Sequence, residues 1–188
     1  MTKFIVEGYG EVLALPILVK RGKSTSTGIQ CLDMNGKSNI VRSDNGFERT
    51  IGRQSALGFN RFFVLLDGDV FYAPYSNLEE ERTGMLTRAK NLMDADAVRI
   101  EIGWAIRTYE SWLIGGLKRG GNFCGLVKPI RGISGDTQSA PSDPKEWLKN
   151  HLKDQEYNPE VQRCLSKRID LRLATRRNDS LKEFFRSI

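Results

Sequence analysis

Histidine is almost absent from this chain and cysteine is scarce. The 188 residues hold one histidine, His151, and three cysteines, Cys31, Cys124 and Cys164. A histidine-rich metal site is excluded, and a Ser-His-Asp or Cys-His machine would have only His151 as its base. The cysteines are widely spaced, odd in number and form no C-x-x-C pair, so neither a disulfide framework nor a structural zinc site is expected. Long apolar runs are missing too. The longest candidate, Val12 to Val19, is interrupted by Pro16 and falls well short of the roughly 20 residues that span a bilayer. Met1-Thr2-Lys3 does not lead into the apolar core of a signal peptide. The expectation is a cytoplasmic protein with no membrane partner, whose hydrolytic chemistry, if any, leans on carboxylates and metal.

The length fits one domain with an ordinary core. A formal net charge of +6 suits a polyanionic partner such as nucleic acid. Between Leu117 and Gly135 the only charges are Lys118, Arg119, Lys128 and Arg131, in a glycine-rich setting. This segment reads as a basic loop, and its cations are candidates for contacts to a nucleic-acid backbone.

The acids are placed more tellingly. The most apolar run of the chain, Phe62 to Leu66, ends in Asp67-Gly68-Asp69. Alternation along an extended strand would send both carboxylates to one side of a sheet. Nearer the N-terminus, Phe4-Ile5-Val6 runs into Glu7-Gly8, with Glu11 one helical turn on. Strands of an open α/β sheet that deliver acids to their carboxyl ends build active sites there. Glu7, Glu11, Asp67 and Asp69 are hard oxygen donors of the kind that hold Mg²⁺ or Mn²⁺. Turn chemistry also explains Asp-Gly-Asp, and a helix N-terminus also explains Glu7. Glu110 borders the apolar stripe of its helix and needs a partner, either Arg107 three residues earlier or a metal. Gly36-Lys37-Ser38 resembles part of a phosphate-binding loop, but Cys31 stands where that loop needs glycine, which argues against an NTPase. Lys37 remains a candidate phosphate contact or an exposed loop lysine.

The pattern predicts strands over Lys3–Val6, Ile29–Met34, Arg61–Leu66 and Ala97–Ile102. Helices are predicted over Tyr9 to about Arg21, with a kink or break at Pro16, and over Asn45–Gly58, Leu78–Met93 and Ala105–Gly115. Alternating strands and helices imply a parallel α/β sheet flanked by helices. After the basic loop the pattern turns all-helical, with starts at Asp143-Pro144, Asn158-Pro159 and Asp179 or Ser180. Residues 1–116 would form the α/β domain, and residues 117–188 a basic loop and helical extension packed on it.

Glu7-Gly8 closing a first strand, Glu11, and Asp67-x-Asp69 closing the third resemble the TOPRIM domain of topoisomerases, primases and OLD-type nucleases. The chain is also similar to small stand-alone TOPRIM-like bacterial proteins encoded beside AAA-type ATPases in phage-defence loci. That likeness rests on Gly36-Lys37-x-Asn39, Arg107-x-x-Glu110-x-Trp112, Pro144-Lys145-x-Trp147-Leu148, Tyr157 to Gln162, Ile169-Asp170 and Ser180 to Phe185. It departs at Tyr72, where TOPRIM usually has glycine. The resemblance implies a TOPRIM-like sheet of about four parallel strands and a Mg²⁺-dependent endonuclease acting on DNA or RNA. Glu7, Asp67 and Asp69 would bind the metal, supported by Glu11 and Glu110, and the activity would be a toxin released by an ATPase partner. The competing readings are a catalytically silent TOPRIM scaffold that binds nucleic acid or that ATPase, and a small-molecule phosphohydrolase.

Overall fold

The computed structural model describes residues 2–23, 28–42, 46–69, 76–92, 98–118, 123–127, 135–137, 141–154 and 156–188. Within them lie strands β1 (Thr2–Val6), β2 (Gln30–Asp33), β3 (Arg61–Asp67) and β4 (Arg99–Ala105). They form one sheet in the order β2-β1-β3-β4, every pairing parallel. The apolar runs of β1 and β3 have no polar alternation because both strands are central and covered on both faces. Phe4, Val6, Phe63 and Leu65 enter one core, whereas Ile5, Phe62, Val64 and Leu66 enter the other.

The first core is covered by α1 (Tyr9–Lys23), α5 (Tyr109–Gly115) and the C-terminal helices α6 (Pro144–His151), α7 (Pro159–Arg168), α8 (Leu171–Arg177) and α9 (Asp179–Ser187). The second is covered by α2 (Lys37–Val41), α3 (Phe47–Ala56) and α4 (Leu78–Leu92). The expected architecture of four parallel strands, flanking helices and a helical C-terminal region is therefore present. Among the described residues no helix is long and apolar enough to cross a membrane.

Local expectations fare unevenly. Asp143 and Asn158 cap α6 and α7 by accepting backbone N–H bonds, as their sequence contexts predict, and Asn178, just before the expected start, caps α9 in the same way. The helix expected at Ala105 instead starts at Tyr109, because β4 stays paired with β3 as far as Asp67↔Ala105. Helix α1 continues past Pro16 to Lys23 without the expected break; Ala14, Leu15, Leu18 and Val19 are buried on both sides of the proline, so packing holds the helix together. Two short helices escape the periodicity. One is α2; the other is α8, started by Asp170 accepting from Leu173 N.

The cysteines bring a correction. Cys124 and Cys164 are joined in a disulfide across 40 residues of sequence, leaving Cys31 free. Linear spacing concealed the pair because the chain from Phe123 returns to α7 only in three dimensions.

The C-terminal region is built into the core. The Phe184 ring lies 6.2 Å from Phe4, 5.1 Å from Phe63 in a T-shaped contact, and 5.1 Å from Trp112. Truncating such a fully buried aromatic leaves a cavity that costs about 3–5 kcal/mol. Phe184→Ala is expected to lose this much stability in urea unfolding and to keep a single transition. Separate melting of the C-terminal helices in either protein would show that they are not part of the same cooperative unit.

Candidate active site

Strands β1 and β3 lie side by side, with Ile5 level with Val64, so Glu7 and Asp67 emerge together at the carboxyl edge of the sheet. Asp67 N donates to Glu7 Oε1 at 2.6 Å. The Asp67 carboxylate has its own partners. Its Oδ1 accepts from Tyr109 N at 2.8 Å, tying the strand to the start of α5, and its Oδ2 lies 3.5 Å from Lys145 Nζ on α6. A Cβ at Gly68 would come 2.6 Å from Ile106 Cδ1, so a larger residue there would have to displace the Ile106 side chain.

Glu11 completes the inner group from α1. Its Oε2 accepts from Gly8 N and its Oε1 from Gln162 Nε2 on α7, each at 2.9 Å. The helices meet closely at this point: a Cβ on Gly10 would sit 1.9 Å from Gln162 Oε1. Glu110, on the first turn of α5, is 1% exposed, and its Oε2 has no hydrogen-bond partner among the described residues. The Tyr157 phenol lies against Glu110 and is raised well above its usual value by burial and then by that acid, while the buried Thr108 hydroxyl has no partner among the described residues.

Burial and like charge dominate the electrostatics. Burial lifts the Glu7 carboxyl to about 7, opposed by the Asp67 N–H bond and the Lys37 charge and aided by Glu11 and Asp69. Asp67 is raised well above the usual carboxylate range, first by burial and then by Glu110 and Glu7. Glu11 is raised by burial against the Gln162 bond. Lys145 answers these charges. Burial alone would lower its pKa, but Glu110, Asp67 and Glu11 outweigh that effect and raise it.

Glu7, Glu11, Asp67 and Glu110 are thus drawn into one electrostatic neighbourhood. Asp69 lies near them but differs in kind. Strand β3 ends at Asp67, so alternation does not extend to Asp69, which is exposed beyond Gly68 and lines a cleft. Lys37 is 5% exposed rather than presented to solvent. Its ammonium donates to Asp67 O at 3.1 Å, lies 3.4 Å from Glu81 Oε2, and sits over the Trp104 ring. It braces the end of β3 from below. Lys118 pairs with Asp170 at 2.9 Å beside a different depression. Arg119, Lys128 and Arg131 lie outside the described residues.

The other nucleophile and base candidates belong to the framework. The Cys31 thiol is pushed up to about 12 by burial and by Glu11, which denies it a thiolate. His151 stacks on Trp147 and bonds the Trp147 carbonyl oxygen through Nδ1. Sequence reasoning gave no role to Lys145, Gln162 or Tyr157. The available signal was their position just inside or before capped helix starts, where side chains at a helix N-terminus can meet the sheet edge.

No family model, no curated protein and no solved structure matches this chain. The site therefore stands on its own chemistry. Among the described residues no three carboxylate, cysteine or histidine side chains are already gathered as a metal-holding group. In donor chemistry, however, the residues fit a hard divalent cation. They are carboxylates, burial and mutual repulsion hold two of them far above their ordinary range, and a buried Glu110 oxygen has no partner.

A pH test follows from Glu7. Its folded value, about 7, lies above the ordinary value of 4.5. Its contribution to stability is complete below about 4.5 and is lost as pH rises through 7. Glu7→Gln keeps an acceptor for Asp67 N and removes the charge. In metal-free buffer its melting temperature is expected to gain on the wild type between pH 5 and pH 8, on the order of 2 kcal/mol in stability. A pH-independent difference would mean that Glu7 ionises in the fold as it does in water.

Proposed function

We propose that this chain is a metal-dependent nuclease built on a TOPRIM-like sheet. The carrying observation is that two adjacent central strands deliver Glu7 and Asp67 to one point, directly linked by the Asp67 N–H bond and faced by the Lys145 ammonium. In this reading Glu7, Asp67 and Asp69 hold Mg²⁺ or Mn²⁺, with Glu11 and Glu110 as supporting acids. Such an ion, when bound, polarises a phosphate oxygen and activates the attacking water or hydroxyl.

The chain's own residues do the rest. Lys37 fixes the Asp67 carbonyl, and the Tyr109 amide fixes the Asp67 carboxylate, so the end of β3 is rigid on both sides. Gln162 orients Glu11. Lys145 brings a positive charge to the place where a phosphodiester would gain negative charge in the transition state. Glu7, lifted to about 7 by burial, either ligates the ion as a carboxylate or, left unligated, is suited to take or give a proton near neutral pH.

A second reading has one observation in its favour. Lys145 already supplies a counter-charge to Asp67, as it would in a catalytically silent scaffold that binds nucleic acid or a partner protein. The resemblance extends the nuclease reading to a cytoplasmic defence effector held off by an AAA-type ATPase. The Cys124–Cys164 bond weighs against that compartment, where thiols are kept reduced.

The decisive experiment incubates the protein with single-stranded DNA, duplex DNA and tRNA in Mg²⁺, in Mn²⁺ and in EDTA. Cleavage is expected with either metal and not in EDTA. Asp67→Asn, confirmed as folded by its circular dichroism, is expected to lower the rate about 100-fold or more. Metal-independent cleavage, or full activity in Asp67→Asn, would remove the catalytic reading. Binding without cleavage of any of the three would favour the scaffold.

A further inference from the structure

A cleft of about 1020 Å³ opens beside the acids, between the ends of β3 and β4 and helix α6. Arg107, Lys145 and Lys149 reach it from two different elements, and Thr108 and Tyr157 line it with them. Thr108 is 5% exposed and its hydroxyl has no partner among the described residues, whereas the Tyr157 phenol lies against Glu110. A buried hydroxyl normally has a hydrogen-bond partner, and Thr108 borders a cavity that could supply one.

We propose that this cleft is the track of a polynucleotide backbone, with Arg107 and Lys149 holding phosphates next to the one at the acids. The proposal rests on the nuclease reading and adds where its substrate lies. Lys145 and Lys149 are four residues apart on α6, hence on one face and about 6 Å apart along the axis. Lys145 meets Asp67 at the inner end, which leaves Lys149 further out along the same face. Arg107, from the turn after β4, reaches across to donate to Ser142 O, just before α6, at 2.8 Å. Apart from Tyr157 and Pro144 the lining is polar or glycine, with no aromatic floor for a base, so the cleft suits the sugar-phosphate chain and reads no sequence.

Four acids, Asp69, Asp143, Glu146 and Glu156, share the lining with the three cations, and their partners matter. Asp143 accepts Glu146 N as the cap of α6. Glu146 pairs with Lys149 at 3.5 Å, both side chains 51% exposed. An exposed pair of this kind is weak enough for a phosphate to replace it. Glu146 is then a competitor for Lys149, and its neutralisation strengthens binding.

The test titrates the full chain with a short fluorescein-labelled DNA single strand, and with RNA of the same sequence. Anisotropy is read in Ca²⁺ over a range of salt, and the probe is checked for integrity on a gel. Lys149→Ala and Arg107→Gln are each expected to weaken binding about five-fold near 0.1 M salt and to lower the salt slope by about 0.7, one phosphate contact. Glu146→Gln is expected to tighten binding, and Lys90→Ala, on the exposed last turn of α4, to leave it unchanged. Melting curves establish that the variants fold; Lys149, half exposed, is the safest of them. Wild-type affinity and slope in both Lys149→Ala and Arg107→Gln, or no binding by the wild type, would overturn the proposal. A probe bound through Lys149 yet never cut in Mg²⁺ would support the track and refute the nuclease. Cutting that is indifferent to both cations would do the reverse. A preference between the DNA and RNA probes identifies the source of the backbone.

Discussion

The constraint on which the rest depends is the burial of like charges at the end of a central strand. Asp67 terminates an apolar run whose preceding residues are all buried, and it meets Glu7 from the neighbouring strand at hydrogen-bond distance from its backbone. Removing two carboxylates from water side by side costs several kcal/mol unless cations and donors answer them. Much of the remaining architecture can be understood as that answer. Lys37 comes from α2 below the edge, the Tyr109 amide from α5, and Lys145 from α6. Each arrives from a different segment, so the site does not exist until the whole fold does.

This explains why the C-terminal helices are not an appendage. Gln162 on α7 holds Glu11, the Ser166 hydroxyl on α7 meets Tyr109 Oη at 3.1 Å, and Ser180 at the start of α9 accepts from Trp112 Nε1 at 2.8 Å. Arg21 near the end of α1 donates to the carbonyls of Ser166 and Ile169. Helices α1, α5, α7 and α9 are thereby cross-linked by polar contacts above an apolar floor. The acids occupy the place where their N-terminal ends meet the sheet.

The sheet was legible because two-sided burial leaves an unmistakable mark. Continuous apolar runs at Phe4–Val6 and Phe62–Leu66 have no other reading at that length, and acids at their ends point to the carboxyl edge. The caps at Asp143 and Asn158 were legible because capping is local chemistry. What stayed hidden depends on distant partners. Lys37 looks like a loop lysine until Glu81 on α4 folds against it. Lys145 looks like a surface residue at a helix start until α6 docks beside Asp67. The Cys124–Cys164 bond left no trace in spacing, and Asp69 was misplaced on a strand that ends two residues sooner.

The disulfide has a topological consequence. The residues between Cys124 and Cys164 include all of α6, so Lys145 and Lys149 belong to a closed ring anchored on α7. In the unfolded chain that ring limits how far either lysine can wander from the helix that carries Gln162. Closing a loop of this length removes roughly 4 kcal/mol of chain entropy from the unfolded state on the polymer model. Oxidised, the protein searches for its counter-charge within a tether. Reduced, the same segment samples a wider unfolded ensemble before Lys145 docks beside Asp67.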